Sequence, residues 1–326
     1  MLYITGIHKA SQLARFDPSS WLGIRRRIAI DLIDDIDRLG APAIREALFE
    51  RIVDARGAFK RTYRDRFAAF DARLIELWQA APLAARPVRI LDAAISDGST
   101  SLPLIAAFET STAGEFRFLA TDLDGRYRKL WRPAAPERRV ILSDQGEIVQ
   151  IILPPFLFTH RESRLLFPLN RALRPLAHRF AGGLIDDWQR ASSNVVSAEI
   201  LLFSPDFRRV LESDRRVEFQ AWDILQPWPG ERAHCVRAMN ILNPGYFNAE
   251  QMRQVVRHLF AAVADGGLIA LGSNEDAGSA VDGVICRRDG DRLLELASFG
   301  HGFRAPAAIE GMLIPAVASP HRLGRA

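Results

Sequence analysis

The chain has 326 residues, 48% apolar and 25% charged, with a net charge of +4 from 43 basic and 39 acidic side chains. All but three of the basic residues are arginines, and most of them alternate with acids rather than forming a stripe, so no nucleic-acid partner is expected. Cys235 and Cys286 are too few for a disulfide scaffold or a cysteine zinc site. No run reaches the ~18 apolar residues of a membrane span, and residues 1–16 have no signal-peptide core, which makes cytoplasm the expected compartment.

The first 85 residues read as helical. Helix-start chemistry at residues 17–20 precedes Ile24, Ile28, Leu32, Ile36 and Leu39 at helical spacing, until Gly40 and Pro42 stop the run. A second helix places Ile44, Leu48 and Ile52 on one face, and a third carries Phe67, Phe70, Leu74, Leu77 and Trp78.

After Pro87 the texture changes to strands alternating with helices. Strands over 88–91, 116–120, 217–221, 233–239 and 268–271 end at Asp92, Asp122, Asp223 and Asn240, with a capping box at Asn248 and Gln251 opening one helix. Such alternation predicts a mostly parallel sheet, closed by an antiparallel hairpin over 281–298. Residues 125–215 form an insertion too long for a simple crossover, with a hairpin over 140–152. Residues 165–180 carry leucines among arginines, a pattern that suits an anionic membrane surface, a lid, or packing on its own domain, with Pro168 and Pro175 opposing one unbroken helix.

Ligands of an open parallel sheet bind at the carboxyl ends of its strands, near the point where strand order reverses. Small residues Ala94, Ser96 and Gly98 would let a ligand approach the backbone after Asp92. Asp122 is placed for ribose hydroxyls, and Asp223 with Ile224 for adenine. The loop has one glycine, no lysine and acids at Asp92 and Asp97, which suit a cationic ligand and disfavour the pyrophosphate of a dinucleotide, and no G-K-S/T follows to make a Walker loop. S-adenosylmethionine (SAM) fits better, being a cationic nucleoside without phosphate. No acid or histidine cluster has metal-ligand spacing.

Residues 233–276, especially V-R-A-M-N-I-L-N-P-G-Y-F-N with the later G-G and G-S-N-E, resemble the CheR-type receptor glutamate methyltransferases. A-A-I-S-D-G-S-T is similar to that family's cofactor loop, A-T-D-L-D to its second strand end, and V-E-F-Q-A-W-D-I-L to its third strand and adenine turn. R-T-Y-R-D-R-F-A-A-F resembles the segment whose arginine receives the substrate carboxylate, which implies Arg64 here. The likeness covers most of 58–124 and 216–276. Ser99 and Thr100 replace the family's paired glutamates, leaving Thr100 as the candidate contact, and Met239 replaces the arginine before Asn240.

The resemblance implies an α/β fold: a doubly wound, mostly parallel sheet of class I methyltransferase type. The helical N-terminal domain would span 1–85, the SAM-binding domain 86–300 with its insertion at 125–215, and a tail 301–326. The expected activity is methyl transfer from SAM to an unidentified acceptor, a small molecule or a protein carboxylate, with Arg64, Asn240 and Tyr246 as catalytic candidates. The alternatives are a catalytically inactive SAM-binding sensor or scaffold, and a nicotinamide oxidoreductase. The enzymatic reading requires Asp122 to face the crevice and the space over Gly98 to be open.

Overall fold

The computed structural model describes residues 2–49, 52, 66–80, 83, 86–159, 167–243, 245–274, 280–302 and 313–314. In chain order its strands are β1 (Val88–Ala93), β2 (Phe116–Asp122), β3 (Arg126–Arg132), β4 (Ala135–Ser143), β5 (Ile148–Leu153), β6 (Phe156–Thr159), β7 (Val196–Leu201), β8 (Val217–Ala221), β9 (Ala233–Met239), β10 (Val263–Ser273), β11 (Asp282–Asp289), β12 (Arg292–Phe299) and β13 (Leu313–Ile314). The chain divides into two compact units. Unit 1 comprises residues 1–61 and 124–205, and unit 2 comprises 62–123 and 206–326.

Unit 1 is built on an antiparallel sheet in the order β6-β5-β4-β3-β7. The strands alternate their apolar residues between two faces. Tyr127, Ile141, Ile152 and Leu157 share one core with Ile7, Ile28, Ile30, Ile36 and Leu48 of the N-terminal segment. Leu130, Val140, Leu142, Ile151 and Phe158 share the other with Ala177, Ala181 and Leu184 of the helix Pro168–Gln189. The insertion therefore supplies a sheet, and the N-terminal segment supplies one of its covers. This corrects the expected separate domain over 1–85 and the insertion at 125–215, because neither piece could bury its apolar face alone.

The helix expected from residue 17 to 39 is also broken up. It is reduced to two short 3-10 turns and the helix Ile33–Leu39. Buried Gln150 on β5 accepts from the Ile30 amide at 2.9 Å and donates to the Ile28 carbonyl at 3.0 Å, giving these backbone groups partners that a helix would otherwise supply. Arg139 of β4 clamps Asp31 with two bonds of 2.6 and 3.0 Å, both side chains buried. The hairpin over 140–152 forms as β4 and β5, with Gly146 in the left-handed region at its turn. Pro168 starts the helix Pro168–Gln189, where its missing N–H costs nothing, and Pro175 is accommodated within it.

Unit 2 holds an eight-stranded sheet in the order β13-β12-β11-β10-β9-β1-β2-β8. The run from β8 through β2, β1 and β9 to β10 is parallel, and β11 pairs antiparallel to β10. Leu91 and Ala93 of β1 share a core with Val236, Ile269 and the helix Ala249–Ala262, which is opened by the Asn248–Gln251 capping box. Val88 and Ile90 point the other way, toward the side of the helices Ala68–Ala80 and Ser101–Ser111, whose Trp78 and Phe108 rings meet at 5.9 Å. Helices thus cover both faces, the doubly wound arrangement. The third predicted helix belongs to this unit, and the terminal hairpin forms as β11 and β12.

Candidate functional site

In unit 2 the chain steps from β1 to β2 and β8 on one side, and through β9 to β10 on the other. Strand order therefore reverses between β1 and β9, and the loops after these two strands flank the crevice where such sheets bind ligands. Both loops are strained. Ala94 has φ 59°, Ser96 φ 60° and Gly98 φ 77°, a left-handed residue at every second position, and Asn240 after β9 has φ 58°. Only five non-glycine residues among those described adopt positive φ, and three of them sit in these two loops. Each costs roughly 1–3 kcal/mol, a strain that concentrates at functional sites.

The loop is tied to β2 at two points, the first being the Ile95 amide, which donates to the Thr121 carbonyl at 3.0 Å. The Ser96 amide donates to Asp122 Oδ2 at 2.8 Å, while the Asp122 carbonyl accepts from the Trp222 amide at 3.0 Å after β8. Asp122, Ala94 and Ser96 are half-buried, whereas Ile95, Asp97 and Gly98 are buried. The hydroxyls of Ser96 and Ser99 are buried without a hydrogen-bond partner.

Asp92 turns away from this edge. Arg237 of β9 donates to Oδ1 at 2.9 Å and to Oδ2 at 2.6 Å, and the Ser101 hydroxyl donates to Oδ2 at 2.6 Å. Arg237 also donates to Asp71 Oδ2 at 2.6 Å and to the Thr100 carbonyl at 3.1 Å. Asp92 is thereby a carboxylate of an internal ion cluster rather than a ligand contact, and buried Thr100 serves the cluster through its carbonyl. Burial pushes the Asp71 carboxyl up to about 6, with Arg237 opposing the rise. Asp97 Oδ1 accepts from the Ser99 amide at 3.0 Å and caps the turn before the helix Ser101–Ser111.

The space over Gly98 is not open. A Cβ there would lie 2.3 Å from Cδ1 of Phe207, a fully buried ring on the helix Pro205–Ser213. Gly98 is thus required by its φ and by packing; the open space the enzymatic reading called for at this residue is filled by Phe207, and what that reading keeps in the loop contracts to Ala94 and Ser96. Asp223 lies in the turn after β8. Its Oδ1 accepts from the Leu225 amide at 2.9 Å, a local turn cap, and Ile224 is buried in the core with Trp222 and Leu259.

At the ends of β9 and β10, Asn240 and Asn274 pair reciprocally. The Asn274 amide donates to Asn240 Oδ1 at 2.8 Å, and Asn240 Nδ2 donates to Asn274 Oδ1 at 2.9 Å. Arg66 donates to Asn274 Oδ1 and, at 3.2 Å, to its carbonyl. Arg64 lies outside the described residues. Tyr246 is half-buried against the apolar core shared by Phe247 and Leu259. Sequence reading passed over Arg237, Asn274 and Arg66. An arginine inside the otherwise apolar stretch Cys235–Val236–Arg237–Ala238 was the available signal for the first, since a charge there must be paired. Burial raises the thiol of Cys235 well above its ordinary range, so it is inert. Among the described residues no cluster has three metal-ligating side chains, and no helix is long and apolar enough to cross a membrane.

No model of a known protein family matches the chain, and no curated protein matches it in sequence. Solved structures do. The chain is similar to an O-methyltransferase family protein from Burkholderia thailandensis, at 15% identity and a TM-score of 0.30, over 66% of this chain and 42% of that one. It is similar also to a SAM-bound amino pentose methyltransferase of calicheamicin biosynthesis from Micromonospora echinaspora, at 14% identity and a TM-score of 0.31, over 72% of this chain and 61% of that one. A third is the N-methyltransferase NodS from Bradyrhizobium japonicum in complex with S-adenosyl-L-homocysteine, at 13% identity and a TM-score of 0.30, over 70% and 72% of the two chains. The chain thus spans less than two thirds of the length of the first two.

The donor set can be weighed against SAM directly. Asp122 and the strained backbone at Ala94 fit a ribose and its neighbouring atoms. The acids expected beside the cationic end, Asp92 and Asp97, bond within the protein.

Proposed function

We propose that unit 2 binds SAM at the switch point between β1 and β9 and transfers its methyl group to a carboxylate-bearing acceptor, a small molecule or a protein side chain. The observation that carries this reading is the left-handed loop at Ala94 and Ser96, bonded through the Ser96 amide to Asp122. In it Asp122 holds the ribose and the loop backbone lies against the cofactor. SAM supplies a methyl group on a sulfonium, already activated for in-line displacement. The protein's part is to align the acceptor and keep water out. A carboxylate acceptor needs no base, only a cationic or hydrogen-bonding clamp, and Arg66 with the Asn240–Asn274 pair is the candidate at the strand ends. The likeness to CheR-type enzymes, drawn on sequence motifs, points to the same acceptor class. Isothermal titration with SAM and S-adenosylhomocysteine tests the reading: saturable heat with the folded protein is expected, and no heat for either defeats it.

A second reading is a SAM-binding sensor or scaffold without turnover. It is favoured by the Phe207 ring over Gly98 and by the commitment of Asp92 to Arg237. Cofactor binding with no methyl transfer to carboxylate, amine or hydroxyl acceptors would select it over the first.

A further inference from the structure

The large hydrophobic side chains left exposed are distributed unevenly: among the described residues all of them belong to unit 1. One group is Trp21 and Leu22, just before the 3-10 turn Gly23–Arg25, and Ile24 on it, with Trp21 and Ile24 both 60% exposed. This turn is firmly built. Asp17 accepts from the amide and hydroxyl of Ser19, the Ser20 hydroxyl donates to the Asp17 carbonyl, and Ser20 Oγ accepts from the Gly23 amide. A Cβ on Gly23 would lie 1.9 Å from the Asp17 carbonyl oxygen, so only glycine lets the turn close. The turn therefore holds its apolar residues outward, with the Arg25 guanidinium stacked 4.8 Å from the Trp21 ring centre.

The second group lies along the helix Pro168–Gln189 and the segment beside it. Leu169 and Leu176 are exposed one above the other, two turns apart, and the Leu169 amide donates to the carbonyl of Leu2, itself 73% exposed. At about 100° per residue, the outer side of this helix has Leu169 and Leu176 on one flank and Arg171 and His178 on the other, with Arg179 between. The helix has no acid before Asp186. The two groups are bound to one segment: Arg26, next to the turn, donates to the Thr5 carbonyl and hydroxyl, while Asn170 pairs with the backbone of Ile4.

We infer that unit 1 docks on an anionic lipid surface through the outer side of this helix, with Leu169 and Leu176 entering the headgroup layer and the arginines meeting lipid phosphates, and with Trp21, Leu22 and Ile24 of the turn tied to the same N-terminal segment as a second apolar contact. The charge on the helix decides the occupant: exposed leucines fringed by Arg171 and Arg179, with no acid before Asp186, are the pattern of a helix lying in an anionic interface, and the Trp21 indole suits that depth. The inference is independent of what unit 2 binds.

Flotation of the full chain with vesicles tests it. Binding to vesicles of phosphatidylcholine with about one third phosphatidylglycerol is expected, with little binding to phosphatidylcholine alone and a steep loss in added salt. The pairs Trp21→Ser with Ile24→Ser, and Leu169→Ser with Leu176→Ser, should each lower the partition coefficient by at least about tenfold. All four residues are exposed, so the thermal midpoint should not move and serves as the folding control. No flotation with anionic vesicles, or flotation unaltered by either pair, overturns the proposal. So does self-association, seen by sedimentation velocity and abolished by the same substitutions, which would assign the face to a second copy.

Discussion

The ring of Phe207 stands where a side chain on Gly98 would begin, 2.3 Å from the position of a Cβ. Gly98 also has φ 77°, so alanine there meets both a steric and a conformational penalty. Gly98→Ala should destabilise the protein by about 2–4 kcal/mol. Phe207→Ala alone should cost about 3–5 kcal/mol. In the double variant the steric part of the Gly98→Ala cost should vanish, leaving roughly 1–2 kcal/mol for the backbone. Urea unfolding of the four proteins measures the coupling, and strict additivity would show that the two residues do not meet.

Ala94 and Ser96 are strained in a way glycine would relieve. Ala94→Gly and Ser96→Gly should therefore be neutral or stabilising, by up to about 1 kcal/mol, where glycine at an ordinary loop position loosens the unfolded chain and destabilises. A clear loss of stability in both variants would mean that the loop is not left-handed at these residues.

Asp122 and Asp92 end neighbouring parallel strands and should behave oppositely. Asp122→Asn keeps an acceptor for the Ser96 amide and should leave stability nearly unchanged. It should weaken SAM and S-adenosylhomocysteine binding by about 10–100-fold, as expected for losing hydrogen bonds to a charged group. Asp92→Asn leaves Arg237 buried and short of a partner, and should cost about 3–5 kcal/mol. Calorimetric titration and thermal unfolding of both variants separate the two roles; equal effects on binding and stability would refute the division.

Asp71 gives the ion cluster a pH signature. Its carboxyl is raised to about 6 in the folded protein from 3.8, because it is buried. Between those values the folded state binds the proton and the unfolded state does not. This group's contribution to stability is therefore full below about pH 4, declines as pH rises through 6, and is flat above. Asp71→Asn should remove that window. The unfolding free energy of wild type relative to Asp71→Asn, followed from pH 4.5 to 7.5, should fall with rising pH. A constant difference would place the Asp71 titration elsewhere.

The parts of unit 2 legible in the sequence are those whose signal is local. The strand ends Asp92, Asp122, Asp223 and Asn240 follow short apolar runs, and the Asn248–Gln251 cap spans three residues. The roles of those strand-end acids were not legible. Asp92 and Asp223 look alike in sequence, yet one is paired by an arginine 145 positions away and the other caps the amide two residues on. The left-handed loop was hidden as well, since two of its three positions are Ala and Ser, which carry no glycine signal.

Unit 1 shows the same division more sharply. The sequence alone determined its hairpin at 140–152 and the helix Pro42–Phe49, because turn chemistry and apolar spacing act within a few residues. Only the tertiary structure decided that the N-terminal segment and the insertion are one body. Gln150 satisfies the backbone of Ile30 across 120 positions, and Arg139 neutralises Asp31 across 108. A helical period from residue 24 to 39 was present, but buried hydrogen bonds and an ion pair at that range outweigh local propensity, and no periodicity along the chain encodes them.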